Sequence, residues 1–434
     1  MKLRRLWRRL RRVPREVIDR TGWSARRFRR ALVAAAPVPG ASHHVLIAPP
    51  GAGNIGDQAM VEAFVAAADR PVIVVTRNPD DFVLPEDLSG NVRLAALPNL
   101  LYGDGAGHYA DVRELGALLN GAATVSIVGA DIMDGVYVLR PSLRRASLAE
   151  AAASRGFDTT VVGFSWNGAA PRPAWAALRR AGASGVRLML RDPASAARVR
   201  DAGIEGVVET ADIVFTDDRI LRPSSPLRDL PRPYALVNAS GLIARKVDQV
   251  PEYAAVADWL RARGLHVVLL PHVVRSSADD LAACRAVFEA TGPQGVTLVE
   301  ETLAPSVIRA LAADASLAIT GRMHLAVMSL SRGTPAITLA SQGKVEGLMR
   351  LFEWPELCVT PRAGMSETIV SVAETALDGQ GPRDLVSRGA ERARAAARAN
   401  IERIGALGDV STSRRAVNEQ GAPAWATRSD ASAG

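Results

Sequence analysis

Residues 317–344 read Leu317-Ala318-Ile319-Thr320-Gly321-Arg322-Met323-His324-Leu325-Ala326-Val327-Met328-Ser329-Leu330-Ser331-Arg332-Gly333-Thr334-Pro335-Ala336-Ile337-Thr338-Leu339-Ala340-Ser341-Gln342-Gly343-Lys344. A short apolar run ends at Thr320, a glycine breaks it, an apolar helical pattern runs to Arg332, and Gly333-Thr334-Pro335 opens a second β-branched run. Strand, crossover helix and strand in so few residues predict two parallel strands with their carboxyl ends on one edge. Arg322 and His324 then sit where the first strand gives way to the helix, and Lys344 lies just past the second strand. All three can converge on the edge where open α/β sheets bind ligands. Two cations beside one imidazole suit a small substrate that carries both a carboxylate and a phosphate, the guanidinium as a fork and the ammonium as a point charge. A lone histidine at a strand end can also be structural.

Working outward, the same alternation repeats. In the first half the candidate strands are His44–Ala48, Val72–Thr76, Val92–Leu97, Thr124–Val128, Thr159–Phe164, Arg187–Leu190 and Val208–Val214. In the second they are Tyr234–Asn238, His266–Leu270, Val296–Val299, Leu317–Thr320, Ala336–Leu339 and Leu357–Val359. The stretch from Asp217 to Pro233 carries four prolines and many charges and breaks the rhythm. The expected fold is α/β, with two Rossmann-like domains in tandem at 41–220 and 234–407. The linker is 221–233, a basic leader covers 1–40, and residues 408–434 form a disordered tail. Helical patterns around Glu367–Leu377 and Ala390–Ile404 either cap the second domain or cross back to the first. The cleft between the two halves is the expected site.

The 434 residues, 48% hydrophobic and 23% charged, exceed one core and exclude a mainly disordered or disulfide-stapled chain. Residues 1–30 hold thirteen Lys/Arg against two acids, a local +11, so the overall +8 leaves the rest of the chain near −3. The basic balance belongs to the leader, and nucleic acid is not an expected partner. Leu3, Leu6, Trp7, Leu10 and Val13 fall at helical spacing among the arginines. Two readings stay open for 1–30: a helix lying on an anionic membrane surface, or a solvated basic tail. The two cysteines, Cys284 and Cys358, have no metal spacing and read as reduced thiols. Without an apolar run long enough to span a bilayer or the pattern of a signal peptide, the expected location is cytoplasmic, peripheral at the inner membrane face if the leader binds lipid.

Other strand ends supply further candidates. The first strand runs into Pro49-Pro50-Gly51-Ala52-Gly53-Asn54-Ile55-Gly56-Asp57, followed by an amphipathic helix. It lacks the Gly-Lys-Ser/Thr ending of a phosphate-binding loop, and its glycines are not followed by a ribose-binding acid in the place a dinucleotide site expects. Asn54, Gly56 and Asp57 are candidates for the acceptor side of a cleft, with Asp57 as a plain N-cap the competing reading. Ser165 and Asn167, in the loop Ser165–Pro171, join them, as do Asn238 and His272 at two strand ends. Trp166 either stacks on a sugar face or packs.

Gly53-Asn54-Ile55-Gly56-Asp57, Arg191-Asp192 with Ser195, and Gly321-Arg322-Met323-His324 with Lys344 occur in the order of the signature regions of the polysaccharide pyruvyl transferases, and the chain resembles that family over roughly residues 44–360. Ala130-Asp131 stands where a Gly-Gly pair is usual, and Ala170 precedes Pro171 where a glycine is expected. The resemblance implies a fold like that of the two-domain, B-type glycosyltransferases. It implies phosphoenolpyruvate as donor, with no cofactor and no metal. A pyruvyl group would pass as a ketal to a hydroxyl pair of a cell-surface or cell-wall polysaccharide, or of its sugar or lipid-linked precursor. It makes His324 and Arg191 catalytic, and gives Lys344 and Arg322 the donor's charges. Arg191 otherwise pairs with Asp192 or Asp212. Two rivals remain: a nucleotide-sugar-dependent glycosyltransferase gripping ribose through a carboxylate such as Glu346, and a non-catalytic wall-assembly scaffold.

Overall fold

The computed structural model describes residues 23–405, apart from 33–34, 39, 276–278 and 341–342. Residues 1–22, the greater part of the leader and of its proposed membrane helix, and the tail 408–434 lie outside the described residues.

Thirteen strands among the described residues form two all-parallel sheets. The first joins β1 (His43–Ile47), β2 (Val72–Thr76), β3 (Val92–Ala96), β4 (Ala122–Ala130), β5 (Asp158–Phe164), β6 (Arg187–Leu190) and β7 (Val207–Glu209) in the order β3-β2-β1-β4-β5-β6-β7. The second joins β8 (Tyr234–Asn238), β9 (His266–Leu269), β10 (Val296–Leu298), β11 (Leu317–Thr320), β12 (Ala336–Leu339) and β13 (Cys358–Val359) in the order β10-β9-β8-β11-β12-β13. Each order reverses after its first strand, at β1/β4 and at β8/β11, which is the switch point of a doubly wound sheet. Every residue of β1, β2, β8, β11 and β12 is buried. Helices cover both faces, so these strands read as continuous apolar runs rather than alternating ones.

Three expectations are corrected. The strand expected at Val208–Val214 stops at Glu209, and Ile213–Thr216 is a 3-10 turn whose first residues are tied by the Asp212 carboxylate accepting from Val214 N at 3.0 Å. A carboxylate at that position offers the backbone a turn in place of a ladder. The leader does not run to residue 40 as a separate element: Trp23–Ala31 is a helix, and Phe28 and Leu32 are buried in the first domain's core. Its arginines hid that apolar stripe. The linker is also partly built in, with Leu227 and Leu230 buried.

The two halves are closely joined. Phe215 meets Phe352 with ring centroids 5.9 Å apart. Arg309, fully buried, donates to Asp217 at 2.7 Å, while Arg219 bridges Asp217 at 2.8 Å and Glu62 at 3.0 Å. The helix Gly381–Ala397 leads the chain back to the first domain. There Asn400 accepts from Gly163 N at 3.0 Å and donates to Ala211 O at 3.0 Å, which decides between the two readings of the terminal helices.

Candidate active site

The glycine-rich loop after β1 folds as it does because Asn54, extended and just outside the helix Ile55–Ala67, accepts from Gly56 N at 3.1 Å. Asn54 is therefore the N-cap. Asp57 is not: its carboxylate turns back to accept from Gly51 N at 3.1 Å. Burial raises this carboxyl from the ordinary 3.8 to about 6, with Asp131 adding to the effect and Arg275, His324 and the Gly51 N–H opposing it.

The same loop meets the second domain. Ile55 N donates to His272 O at 3.2 Å, Val274 N donates to Gly53 O at 2.9 Å, and Asn54 and Val273 form an antiparallel bridge. Gly53, at φ +77, would place an added Cβ 2.4 Å from Val274 O. A Cβ on Gly56 would lie 2.2 Å from His324 Nδ1. Glycine is required at both positions because the partner domain occupies the space.

His324 starts the helix Met323–Leu330 after β11. Its Nε2 lies 3.3 Å from the buried carboxylate of Asp212, without the alignment of a hydrogen bond. Arg191, at the end of β6, is buried beside them; Nη1 donates to Asp212 at 2.8 Å and Nε donates to Ser165 Oγ at 3.0 Å. Burial alone would raise the Asp212 carboxyl, but the His324 and Arg191 charges and the Val214 N–H hold it well below the usual range. Asp212 thus couples two site residues that come from different domains.

Arg322 is held by Asp280, with Nη2 donating at 2.6 Å and Nε at 3.0 Å. Asp280, fully buried, also accepts from Gly241 N at 2.9 Å, Val273 N at 3.0 Å and Asn238 Nδ2 at 3.2 Å. That leaves Nη1 as the guanidinium nitrogen not used on Asp280. Lys344 reaches across the cleft to the Asp131 carboxylate after β4. Desolvation would push Asp131 up, yet Lys344 and Arg191 bring it well below the ordinary value.

Next to this centre is a cleft of about 230 Å³ lined by Asp131, Asp134, Ser165, Asn167, Arg198 and Lys344, among others. Ser165 and Asn167 thus lie along the cleft, with the Ser165 hydroxyl engaged by Arg191. Asn238 does not: it is wholly buried, with its amide spent on Leu270 O, Asp280 and Thr320, and it braces the β8/β11 switch point. Trp166 packs rather than stacks on a ligand, with 1% of its surface exposed and its ring 5.0 Å from that of Trp175. His272 caps nothing through its side chain. It is buried, with neither ring nitrogen bonded among the described residues. Burial, and then the His324 and Arg322 charges, push its imidazole well below the ordinary value, so it is neutral.

The structure brings together Asp57, Gly56, His324, Arg191, Arg322 and Lys344. Of the carboxylates that hold them, the sequence reading names Asp212 as a partner of Arg191, the pairing found here, but not Asp131 or Asp280 as partners of Lys344 and Arg322. Asp131 carried a signal, as a strand-end acid where a glycine was expected. Asp280 carried a weaker one, because Asp279 already caps the helix Asp280–Thr291 by accepting from Ala282 N at 3.1 Å. Among the described residues no group of three His, Cys, Asp or Glu is placed to hold a metal ion, and no helix is long and apolar enough to cross a membrane.

Two doubly wound domains facing each other across a cleft, with polar side chains at the carboxyl ends of both sheets, define the B-type glycosyltransferase architecture. Solved structures agree. The UDP-GlcNAc 2-epimerase from Neisseria meningitidis bound to UDP-GlcNAc is similar at TM-score 0.54 and 10% identity, over 83% of this chain and 99% of that one. The UDP-GlcNAc 2-epimerase from Methanocaldococcus jannaschii is similar at TM-score 0.52 and 10% identity, over 82% and 98%. Sucrose-phosphate synthase from Thermosynechococcus elongatus is similar at TM-score 0.51 and 15% identity, over 83% and 96%. At these identities the likeness shows the fold alone. A search of curated proteins finds no match to this sequence. The family is settled by the sequence model for polysaccharide pyruvyl transferase, which matches residues 54–343. The chain belongs to that family.

Proposed function

We propose that the protein transfers a pyruvyl group from phosphoenolpyruvate to two hydroxyls of a saccharide, forming a cyclic ketal and releasing inorganic phosphate. The observation that carries this reading is the convergence of Arg191, Arg322 and Lys344 on one imidazole and one buried carboxyl, His324 and Asp57, at the carboxyl edges of both sheets. A donor with a carboxylate and a phosphate needs several cations, and each of the three here is held by a carboxylate. Those carboxylates orient the cations while the donor's anionic groups share them.

In this reading a proton goes to the methylene carbon of phosphoenolpyruvate, and positive charge develops at the carbon bearing the phosphate. One acceptor hydroxyl adds there and loses its proton. Phosphate leaves with its electron pair and one proton, and the second hydroxyl closes the ring with loss of its own proton. His324 supplies the proton to carbon, and Asp57, oriented by its bond from Gly51 N, takes the proton of the attacking hydroxyl. Arg191 and Lys344 receive the carboxylate and phosphate, and Asn54 keeps the loop that presents Asp57. Incubation with phosphoenolpyruvate and a panel of saccharides, read as phosphate release and a pyruvyl mass increment, tests the reading. Thermal stabilisation by UDP- or GDP-sugars but not by phosphoenolpyruvate would instead support a nucleotide-sugar glycosyltransferase.

A further inference from the structure

Resting on the pyruvyl-transfer reading, we infer that Tyr137 is the platform on which the acceptor sugar ring lies. The described residues leave few large apolar side chains exposed, and three of them are consecutive: Val136 at 39%, Tyr137 at 43% and Val138 at 59%. They occupy the loop that follows β4, at the mouth of the cleft. The loop is not slack. Asp134 pins it from inside, accepting from Val136 N at 2.9 Å and from Asn167 N at 3.3 Å. Tyr137 is held at its hydroxyl end, which donates to Asp131 Oδ2 at 3.4 Å, the carboxylate that also pairs with Lys344. The hydroxyl end is therefore tied to the Asp131–Lys344 pair, and 43% of the residue's surface stays open to solvent.

An exposed aromatic ring held in place beside a polar cleft suits a ligand with one apolar face and a polar edge. A pyranose has both: its C–H face lies flat on an aromatic ring, and its hydroxyls point outward. The groups around Tyr137 fit that edge, since Asp131 and Asp134 accept from hydroxyls and Asn167 lies in the same lining. The two carboxylates also argue against a phosphate or nucleotide at this spot, because like charges would be placed side by side. The anionic donor then lies against Arg191 and Lys344, and the neutral sugar lies on the side of Asp131 that faces Tyr137.

The test compares wild type, Tyr137→Ala and Tyr137→Phe. Replacement by alanine is expected to raise the KM for a glycoside acceptor on the order of tenfold or more and to leave the KM for phosphoenolpyruvate unchanged. Phenylalanine, which keeps the ring, should stay close to wild type. A donor-free measurement separates this inference from the reading beneath it: saturation-transfer NMR with methyl glycosides of the common hexoses and N-acetylhexosamines. Loss of the glycoside signal in Tyr137→Ala and its retention in Tyr137→Phe support the platform even if wild type proves unable to transfer pyruvate. An unchanged acceptor KM in Tyr137→Ala, equal rises in both KM values, or no glycoside binding by any form overturns it.

Discussion

Replacing Asp57 by asparagine is expected to stabilise the protein above neutral pH while removing most of its activity. The carboxyl is buried and rises from 3.8 to about 6 on folding. A raised native value means that the folded chain holds the proton more tightly than the unfolded one. The stability from this group is complete below pH 3.8 and is lost as pH climbs through about 6. At roughly 1.4 kcal/mol per pH unit, the loss comes to ~3 kcal/mol at pH 8 and only ~1 kcal/mol at pH 4.5. Asparagine keeps an oxygen that can accept from Gly51 N and never ionises, so it escapes the penalty. Urea titrations of both forms at pH 4.5 and pH 8 measure the difference. In parallel, turnover should fall ~10²–10⁴-fold, and the acid limb of kcat/KM near pH 6 should vanish with the base that causes it. A gain in stability that is equal at both pH values would show that Asp57 carries no burial penalty and would refute the argument.

His324→Ala is expected to lower phosphate release ~10²–10⁴-fold while the protein stays folded, with only a modest fall in melting temperature because Asp212 loses the imidazole 3.3 Å away but keeps Arg191; a normal rate with a lowered melting point would assign it to packing. Lys344→Ala should weaken phosphoenolpyruvate binding by ~2–5 kcal/mol, since it also frees the Asp131 carboxylate to face the donor; calorimetric titration measures this, and unchanged affinity removes Lys344 from the donor site. Asp217→Ala should cost ~3–5 kcal/mol in denaturant unfolding, because it leaves Arg309 charged and buried without its partner, and a loss below about 1 kcal/mol, the range of an exposed pair, would contradict the buried network.

Much of the architecture was legible because parallel strands covered on both faces are written as unbroken apolar runs. Tyr234–Asn238, Leu317–Thr320 and Ala336–Leu339 coincide with their sequence reading to the residue. The site cations were legible for a related reason: an Arg, His or Lys immediately after such a run is placed on the ligand-binding edge by topology alone. Of their carboxylate partners only Asp212 was legible, near enough to Arg191 to be named with it. Asp131 and Asp280 lie far along the chain from Lys344 and Arg322, and only the closed cleft decides which acid faces which base. For Asp57 it is the competing N-cap reading that fails, because Asn54 accepts from Gly56 N and leaves Asp57 to turn inward. The helix Trp23–Ala31 was obscured by its charge, and its apolar stripe becomes evident only once Phe28 is seen in the core.

The return of the chain to the first domain at Asn400 changes what a domain means here. Gly163 N and Ala211 O, both in the first half, take their partner from a residue beyond the second half's last helix, and Ile404 O accepts from Asp69 N at 2.8 Å. The unit that closes in space is therefore not the unit that ends at the linker. A fragment cut at residue 220 would be an incomplete protein with Gly163 N stranded and Ala211 O left only its 3.3 Å bond from Thr210 Oγ1, whereas one that also receives the terminal segment would have its full complement. Any dissection of this molecule into halves has to follow the path of the polypeptide through both sheets and not the order of its residues.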